Sequence, residues 1–231
     1  MIYIPAGDFI MGTDPEEGAR FSKNVDAPYL REEPKHKVSI PGYYIDKYEV
    51  TNEQYNEFLL ATHHSRPVYW KKFDLLKWSR HPVIFISWND ARSYAAWAGK
   101  RLPTEAEWEK AARGTRGRIF PWGDSWFKKK LTGIGEYYPI DQISSFDVSP
   151  FGVRGMAANV SEWTADIFAP FKGSAYRDEN YNKGMRVIKG GSYDNPGHYN
   201  TAFFYRSANR KAGIPENPYM DVGFRCALDA D

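Results

Sequence analysis

The chain has 231 residues, a length that is ordinary for one domain and short for two independent ones. Basic and acidic residues nearly balance, 31 against 29, so the net charge of +2 provides no field that would attract nucleic acid. No apolar run approaches the roughly 18 residues that a helix needs to span a bilayer. These features predict a single globular domain over residues 1–231, with no nucleic-acid partner and no membrane span.

The composition is unusual in its aromatic content. Aromatic residues make up 16% of the chain, with 8 Trp and 16 Tyr beside 19 Gly and 15 Pro. This combination is typical of a loop-rich fold in which large side chains hold irregular segments together. The single cysteine, Cys226, excludes both a disulfide within the chain and a zinc site built from several thiolates. Because a first strand begins almost at Met1, we expect that an upstream leader was removed.

Three helices are predicted from their capping residues and from the spacing of apolar side chains. The first begins at Thr51, the second runs from Ser87 to Gly99, and the third runs from Thr104 to Gly114. Each start carries a hydroxyl side chain at the N-cap position, and a glycine stops each of the last two helices.

The predicted strands are short and widely spaced, at residues 38–40, 43–45, 186–189 and 222–225. Almost nothing is periodic between residues 114 and 186, which is typical of functional loops or of loops held by a bound ion. Short strands with segregated helices indicate an α+β fold.

Eight motifs follow one another along the chain. In order they read IPAGDFIMG (4–12), EPKHKV (33–38), DKYEVTN (46–52), RLPTEAEWE with AARG (101–114), PWG (121–123), NVSEWT (159–164), GGSY (190–193) and GFRC (223–226). In these motifs and in their order, the chain resembles the formylglycine-generating-enzyme (sulfatase-modifying factor) family from end to end. The resemblance implies an α+β fold of the C-type-lectin-like kind, with little regular secondary structure.

The same resemblance bears on copper. The oxidases of the family carry two cysteines five residues apart between the GGS and GFR motifs, and this pair holds copper(I). Here the second position falls on Ser207 and the first near Ala202, while Cys226 lies outside the pair. A serine hydroxyl is a hard, neutral ligand and does not replace a thiolate for copper(I). We therefore expect no copper and no catalytic residues of this type.

Calcium is a second expectation that comes from the resemblance. The family's calcium lies around the NVSEWT motif, which implies the carbonyl oxygens of Ala158 and Val160 and the carboxylate of Glu162 as ligands. Gly155 stands where the family commonly has Asn or Asp, so one side-chain ligand is missing. The alternative is that Glu162 pairs with a nearby basic side chain or caps a loop amide.

The stretch from Tyr193 to Tyr219 is rich in Tyr, Phe and Asn, a composition typical of adaptable binding loops on a rigid scaffold. We predict that it forms the protein-binding face of a non-catalytic accessory subunit in a multi-subunit complex, and that about half of its rings line the core instead. The residues assigned to this binding face are Tyr193, His198, Tyr199, Phe203, Tyr205, Arg206 and Arg210.

Other functions remain open from the sequence. One is an enzyme with a remodelled pocket around Arg206, Ser207 and Arg210, in which His198 activates Ser207 and the arginines bind an anionic substrate. Another is an oxidase that uses a different cofactor. The retroelement-diversified ligand-binding proteins, which resemble this fold, are a special case of the binding module. The habits of the family and the aromatic, loop-rich sequence favour an extracytoplasmic location, periplasmic or secreted.

Overall fold

The computed structural model describes residues 1–22, 28–67, 70, 74–194 and 201–230. Within these ranges the helices are α1 (Pro15–Phe21), α2 (Asn52–Thr62), α3 (Leu75–Trp78), α4 (Trp88–Trp97), α5 (Glu105–Arg113) and α6 (Thr201–Phe204), with 3-10 turns at Pro28–Glu32, Lys128–Lys130 and Ile140–Gln142. The strands are β1 (Ile2–Ile4), β2 (Gly7–Met11), β3 (His36–Ile40), β4 (Tyr43–Ile45), β5 (Ser161–Ile167), β6 (Arg186–Lys189), β7 (Arg210–Gly213), β8 (Val222–Gly223) and β9 (Ala227–Asp229).

The strands form three small sheets, which the helices flank. One sheet has the order β1-β4-β9, a second pairs β2 with β3, and the third has the order β7-β6-β5-β8. All pairs are antiparallel except β5 with β8, and β9 brings the C-terminal end of the chain beside β4. The mixture of short, segregated strands and helices confirms the predicted α+β class.

The predicted helix starts are confirmed, because each has a complete capping box. The side chains of Thr51, Ser87 and Thr104 each accept a hydrogen bond from the backbone N–H three residues later, and the side chain of that later residue accepts one in return. Gly114, at φ 72°, is the C-cap of α5, in the left-handed region that favours glycine.

Large rings fill the interior between the sheets and α5. Trp108 on α5 and Trp163 on β5 are fully buried, and Trp122 is half-buried. The indole N–H of Trp108 donates to the carboxylate of Glu162 at 2.9 Å, and that of Trp163 donates to the carbonyl of Ile86 at 3.3 Å. Satisfied indole donors let rings of this size occupy a core without an unpaired polar group.

Candidate functional site

The two positions that match the family's copper-binding cysteines offer no catalytic group. Ser207 is 1% exposed, and its backbone N–H donates to the carbonyl of Ile119 at 2.8 Å. Its hydroxyl is buried and has no hydrogen-bond partner among the residues that the structure describes. Ala202, on α6, is half-buried beside the apolar cluster that contains Phe203 and Tyr205. His198, the suggested base for Ser207, lies outside the described residues.

Arg206 belongs to the interior, so its assignment to a binding face is wrong. The guanidinium forms a two-pronged pair with the carboxylate of Glu32, with both N–O distances at 2.8 Å, and neither side chain is exposed. Burial raises the pKa of Glu32, and Arg206 opposes that rise by stabilising the charged carboxylate. A buried guanidinium needs such a partner, because an unpaired buried charge is strongly destabilising.

Arg210 is also buried, which makes its assignment to the binding face wrong as well. Its guanidinium contacts the carboxylate of Glu105 on α5 at 2.7 and 2.8 Å. One turn along α5, Glu109 accepts hydrogen bonds from Lys189 at 2.8 Å and from Arg113 at 2.7 Å. Burial disfavours the charged carboxylate, but Lys189 and Arg113 outweigh it and hold the pKa of Glu109 at about 2. The pocket expected around residues 206–210 is therefore a set of internal ion pairs.

Two of the aromatic residues predicted for the binding face, Phe203 and Tyr205, are core residues too. Phe203 and Tyr205 are buried, and the Tyr205 hydroxyl donates to the carbonyl of Ser192 at 2.8 Å. The ring of Tyr205 lies so close to Gly191 that a Cβ there would sit 2.4 Å from the ring, so the GGSY motif leaves space for this ring. The predicted binding residues His198 and Tyr199 lie outside the described residues.

Tyr193 is the one residue assigned to the face that the structure describes and leaves partly exposed. Its backbone N–H donates to the carbonyl of Asn159, and its hydroxyl donates to the carbonyl of Met220, both at 2.8 Å. Its ring packs against that of Tyr137, with 5.4 Å between centroids. This contact leads from the GGSY motif to a cavity that the sequence analysis did not predict.

That cavity, which we call the ring pocket, has a volume of about 480 Å³ and is lined by residues 76–81, 137–139, 141 and 142. Three rings form its wall. Trp78 and Tyr137 stack with 5.8 Å between centroids at 21°, and His81 lies 4.6 Å from Trp78 and 4.7 Å from Tyr137. Its volume falls within the range of ligand-binding cavities in proteins.

Local hydrogen bonds hold the ring pocket in shape. Asp74 caps α3 by accepting hydrogen bonds from the backbone N–H groups of Leu76 and Lys77. The side-chain amide of Asn52, on the neighbouring helix, donates to the carbonyl of Trp78 at 2.9 Å. The hydroxyl of Tyr137 donates to the carbonyl of Pro82. These bonds within the chain fix the positions of the three rings.

Polar side chains make up much of the remaining lining of the ring pocket. Burial lowers the pKa of His81, which favours the neutral ring, and its Nδ1 is buried with no hydrogen-bond partner among the described residues. Arg80 and Asp141 form an exposed pair at the rim, with 3.6 Å between nitrogen and oxygen. Leu76 stands beside the opening with 91% of its surface exposed. The three rings of the site can pack against an apolar or aromatic group.

Comparison with known proteins identifies the family to which the chain belongs. Residues 1–230 match the profile of the sulfatase-modifying factor enzyme 1-like domain. The chain belongs to this family. Mouse formylglycine-generating enzyme is 31% identical over 295 residues, which cover 99% of this chain and 75% of that protein. Mouse inactive C-alpha-formylglycine-generating enzyme 2 is 27% identical, over 100% of this chain and 86% of that protein.

A solved structure gives the same result for the fold. PvdO from Pseudomonas aeruginosa superposes with a TM-score of 0.69 at 28% identity, over 99% of this chain and 93% of that one. The formylglycine-generating-enzyme type of C-type-lectin-like fold, expected from the motifs, is thereby confirmed. The single cysteine of the chain cannot supply the cysteine pair of the family's oxidases, and burial raises the pKa of that thiol. No helix in the described ranges combines the length and the apolar character needed to cross a bilayer.

The calcium site of the family does not fit the side chains seen here. Arg225 donates to both carboxylate oxygens of Glu162 at 2.7 Å, and one of those oxygens also accepts from Trp108. A carboxylate whose charge is already balanced by a buried guanidinium is a poor ligand for a calcium ion near Ala158 and Val160. The arrangement matches the alternative in which Glu162 pairs with a basic side chain. In the described parts of the chain, no group of three or more His, Cys, Asp or Glu side chains is placed to hold a metal ion.

Two buried acids beside this pair were missed by the sequence analysis. Glu49 is 2% exposed, its carboxylate has no hydrogen-bond partner in the described structure, and the nearest guanidinium nitrogen of Arg225 is 3.8 Å away. Asp147 accepts from the backbone N–H of Ala157 and of Ala158 through one oxygen, and its other oxygen is unpartnered among the described residues. Burial raises the pKa of Glu49, although Arg225 opposes it, and burial raises the pKa of Asp147 to about 6.

Glu49 also explains a departure from the family. A Cβ at Gly155 would lie 2.9 Å from both carboxylate oxygens of Glu49, and Gly155 has φ 67°. An Asn or Asp at this position would therefore collide with Glu49 as it lies here. The buried position of Glu49 therefore accounts for the glycine at position 155, where the family commonly has a calcium ligand.

The raised pKa of Glu49 predicts how stability changes with pH. Because the folded state holds this proton more tightly than the unfolded chain, its contribution to stability is complete below 4.5, the ordinary pKa of a glutamate, and is lost as pH rises through the raised pKa. We expect Glu49→Gln to flatten the decline in the free energy of unfolding by up to about 1.4 kcal/mol per pH unit. Urea unfolding measured from pH 5 to 8 checks this, with the exposed Glu57→Gln on α2 as control. Equal slopes in the wild type and Glu49→Gln would contradict the assignment.

The pairing of Glu162 predicts how the protein responds to calcium. A native-state site with a Kd of about 10 µM would add roughly 2.7 kcal/mol at 1 mM calcium, a rise of several degrees in Tm. We expect Tm to be the same in 1 mM calcium as in a chelator, with magnesium as the control for general ionic effects. A rise of several degrees in calcium alone would show that Glu162 leaves Arg225 for the metal.

Proposed function

We propose that this chain is a non-catalytic member of the formylglycine-generating-enzyme family that binds a protein partner through the ring pocket, as an accessory subunit. The observation that carries the proposal is the wall of Trp78, His81 and Tyr137, with the exposed Leu76 beside it. The proposal keeps the binding role expected for the segment that begins at Tyr193 and moves the contact surface to the neighbouring cavity.

The absence of the family's cysteine pair supports a non-catalytic role. The chain has one cysteine, and Ser207, at the position of the second copper ligand, is buried. The curated relatives include a protein named as an inactive formylglycine-generating enzyme, which aligns with the whole of this chain. The family therefore includes a protein that is named as inactive, and we propose a non-catalytic role for this chain as well.

The anatomy of the ring pocket supports a protein as the ligand. Hot spots of protein interfaces combine aromatic anchors with a surrounding polar rim that excludes water. Here Trp78 and Tyr137 provide the rings, Leu76 adds exposed apolar surface, and the ion pair of Arg80 with Asp141 stands at the rim. An apolar side chain of a partner, inserted beside Trp78, would bury Leu76 as it enters.

The first experiment tests the absence of oxidase activity. We expect no conversion of cysteine to formylglycine in a Cys-x-Pro-x-Arg peptide incubated with the protein, copper(I) and oxygen, because Ala202 and Ser207 cannot bind the metal as thiolates do. Mass spectrometry of the peptide is the measurement, and mouse formylglycine-generating enzyme is the positive control. Formylglycine that appears only when this protein is present would refute the non-catalytic role.

The second experiment tests the surface. Leu76→Lys places a charge at the mouth of the ring pocket, and the matched control Leu60→Lys changes an exposed leucine on α2, which is 62% exposed. The partner is first identified by native mass spectrometry of the tagged wild-type complex, and its affinity for each variant is then measured with purified components. We expect Leu76→Lys to weaken binding at least about tenfold, with Tm unchanged, and Leu60→Lys to bind like the wild type.

Two results would count against this surface. If Leu76→Lys binds the partner as tightly as the wild type, the ring pocket is not the contact. If Leu60→Lys weakens binding to the same extent, the effect is one of general charge and the pocket has no special part in it.

A further inference from the structure

A second cavity, which we call the arginine cavity, lies along helix α4 and has a volume of about 400 Å³. Trp88, Arg92 and Ala96 line one side of it, four residues apart and therefore on one face of the helix. Leu102 and Ala165 line the other side. The surface between them is mostly apolar.

Two guanidinium groups lie over the ring of Trp88. The central carbon of Arg186 is 3.8 Å from the ring centroid, and that of Arg92 is 5.5 Å from it. Both are within the range of a cation–π contact. The indole N–H of Trp88 donates to the carbonyl of Thr164 at 2.7 Å, which fixes the ring between α4 and β5.

Arg92, which lines the cavity, and Arg186, which lies over the Trp88 ring beside it, lack carboxylate partners, in contrast to the other basic residues that line the cavity. Lys100 pairs with Asp46 at 2.7 Å, and Arg101 pairs with Glu107 at 2.7 Å. Within the described residues, neither Arg92 nor Arg186 has a carboxylate oxygen within 4.0 Å. Like charges placed close together repel each other, so this end of the cavity favours an anion.

One hydrogen-bond donor of Arg186 has no acceptor among the described residues. One of its terminal nitrogens donates to the carbonyl of Ala165 at 2.9 Å, and its Nε is buried with no hydrogen-bond partner among the described residues. Burial lowers the pKa of Arg186, the neighbouring Arg92 lowers it further, and Asp166 opposes both. A buried donor without an acceptor is costly, and an anionic group beside it would remove that cost.

We propose that the arginine cavity binds a small amphipathic anion, a carboxylate carried on an apolar chain of medium length. The apolar chain lies between Ala96, Leu102 and Ala165, and the carboxylate lies beside Arg92 and Arg186. The cavity is near the lower end of the volume range of ligand sites, which suits a small molecule. This site is separate from the ring pocket, and it does not depend on the function proposed above.

The test is isothermal titration of the full chain with octanoate, octanol and acetate. We expect octanoate to bind with one-to-one stoichiometry, and octanol and acetate to bind at least about tenfold more weakly, because each lacks one half of the recognised chemistry. Octanol that binds as tightly as octanoate, or octanoate that fails to bind, would overturn the proposal.

Variants locate the site. Arg92 and Ala96 are exposed on α4, so their replacement leaves the core intact. We expect Arg92→Ala to weaken octanoate binding at least about tenfold and Ala96→Trp to abolish it by filling the apolar part, with Tm unchanged in both. The matched control is Arg20→Ala, because Arg20 is an exposed arginine that lies 5.1 Å from the ring centroid of Phe21 on α1. Octanoate binding that survives Ala96→Trp, or that falls equally in Arg20→Ala, would place the ligand elsewhere.

Discussion

The guanidinium of Arg225 joins four distant parts of the chain at one point in the core. It holds both carboxylate oxygens of Glu162 at 2.7 Å and donates further hydrogen bonds to the carbonyls of Asp46 at 3.1 Å and Arg154 at 3.0 Å. The GFRC, NVSEWT and DKYEVTN motifs therefore meet at a single side chain. A fold with so little regular secondary structure depends on such contacts, because its strands are too short to hold the loops by backbone pairing alone.

The same rule governs the rest of the charged interior. In the RLPTEAEWE motif, the three glutamates project from α5 into the protein, and each is neutralised by a basic side chain from another segment or a neighbouring turn. These pairs are Glu105 with Arg210, Glu107 with Arg101, and Glu109 with Lys189 and Arg113. Most of the residues that identify the family here are thus structural. At Glu49, whose nearest guanidinium nitrogen is 3.8 Å away, burial raises the pKa of the carboxyl.

The framework of buried ion pairs leaves two cavities at the surface, and these are the sites for which we propose functions. The ring pocket and the arginine cavity differ in chemistry, since one is walled by three rings with a neutral histidine and the other places two unpaired guanidiniums over an apolar floor. Neither uses the positions at which the family's oxidases hold copper. A scaffold kept by its buried ion pairs can lose one activity and still present well-ordered binding sites, because the loops that shape those sites are held from within.

The sequence alone determined the family, the α+β class and the three capped helices. Capping boxes join residues three apart and helices follow a local period, so signals such as Thr51 with Gln54 can be read without knowledge of the fold. The absence of the copper-binding cysteines is likewise a matter of composition.

Only the tertiary structure decided which of the predicted binding residues face solvent. Arg206 looks like a surface arginine in the sequence, and its partner Glu32 lies 174 residues away along the chain. The ring pocket depends in the same way on segments 76–81 and 137–142, which no local period connects. Burial and charge pairing arise between segments that are distant in sequence, and residue type by itself does not record which partner the folded chain brings into contact.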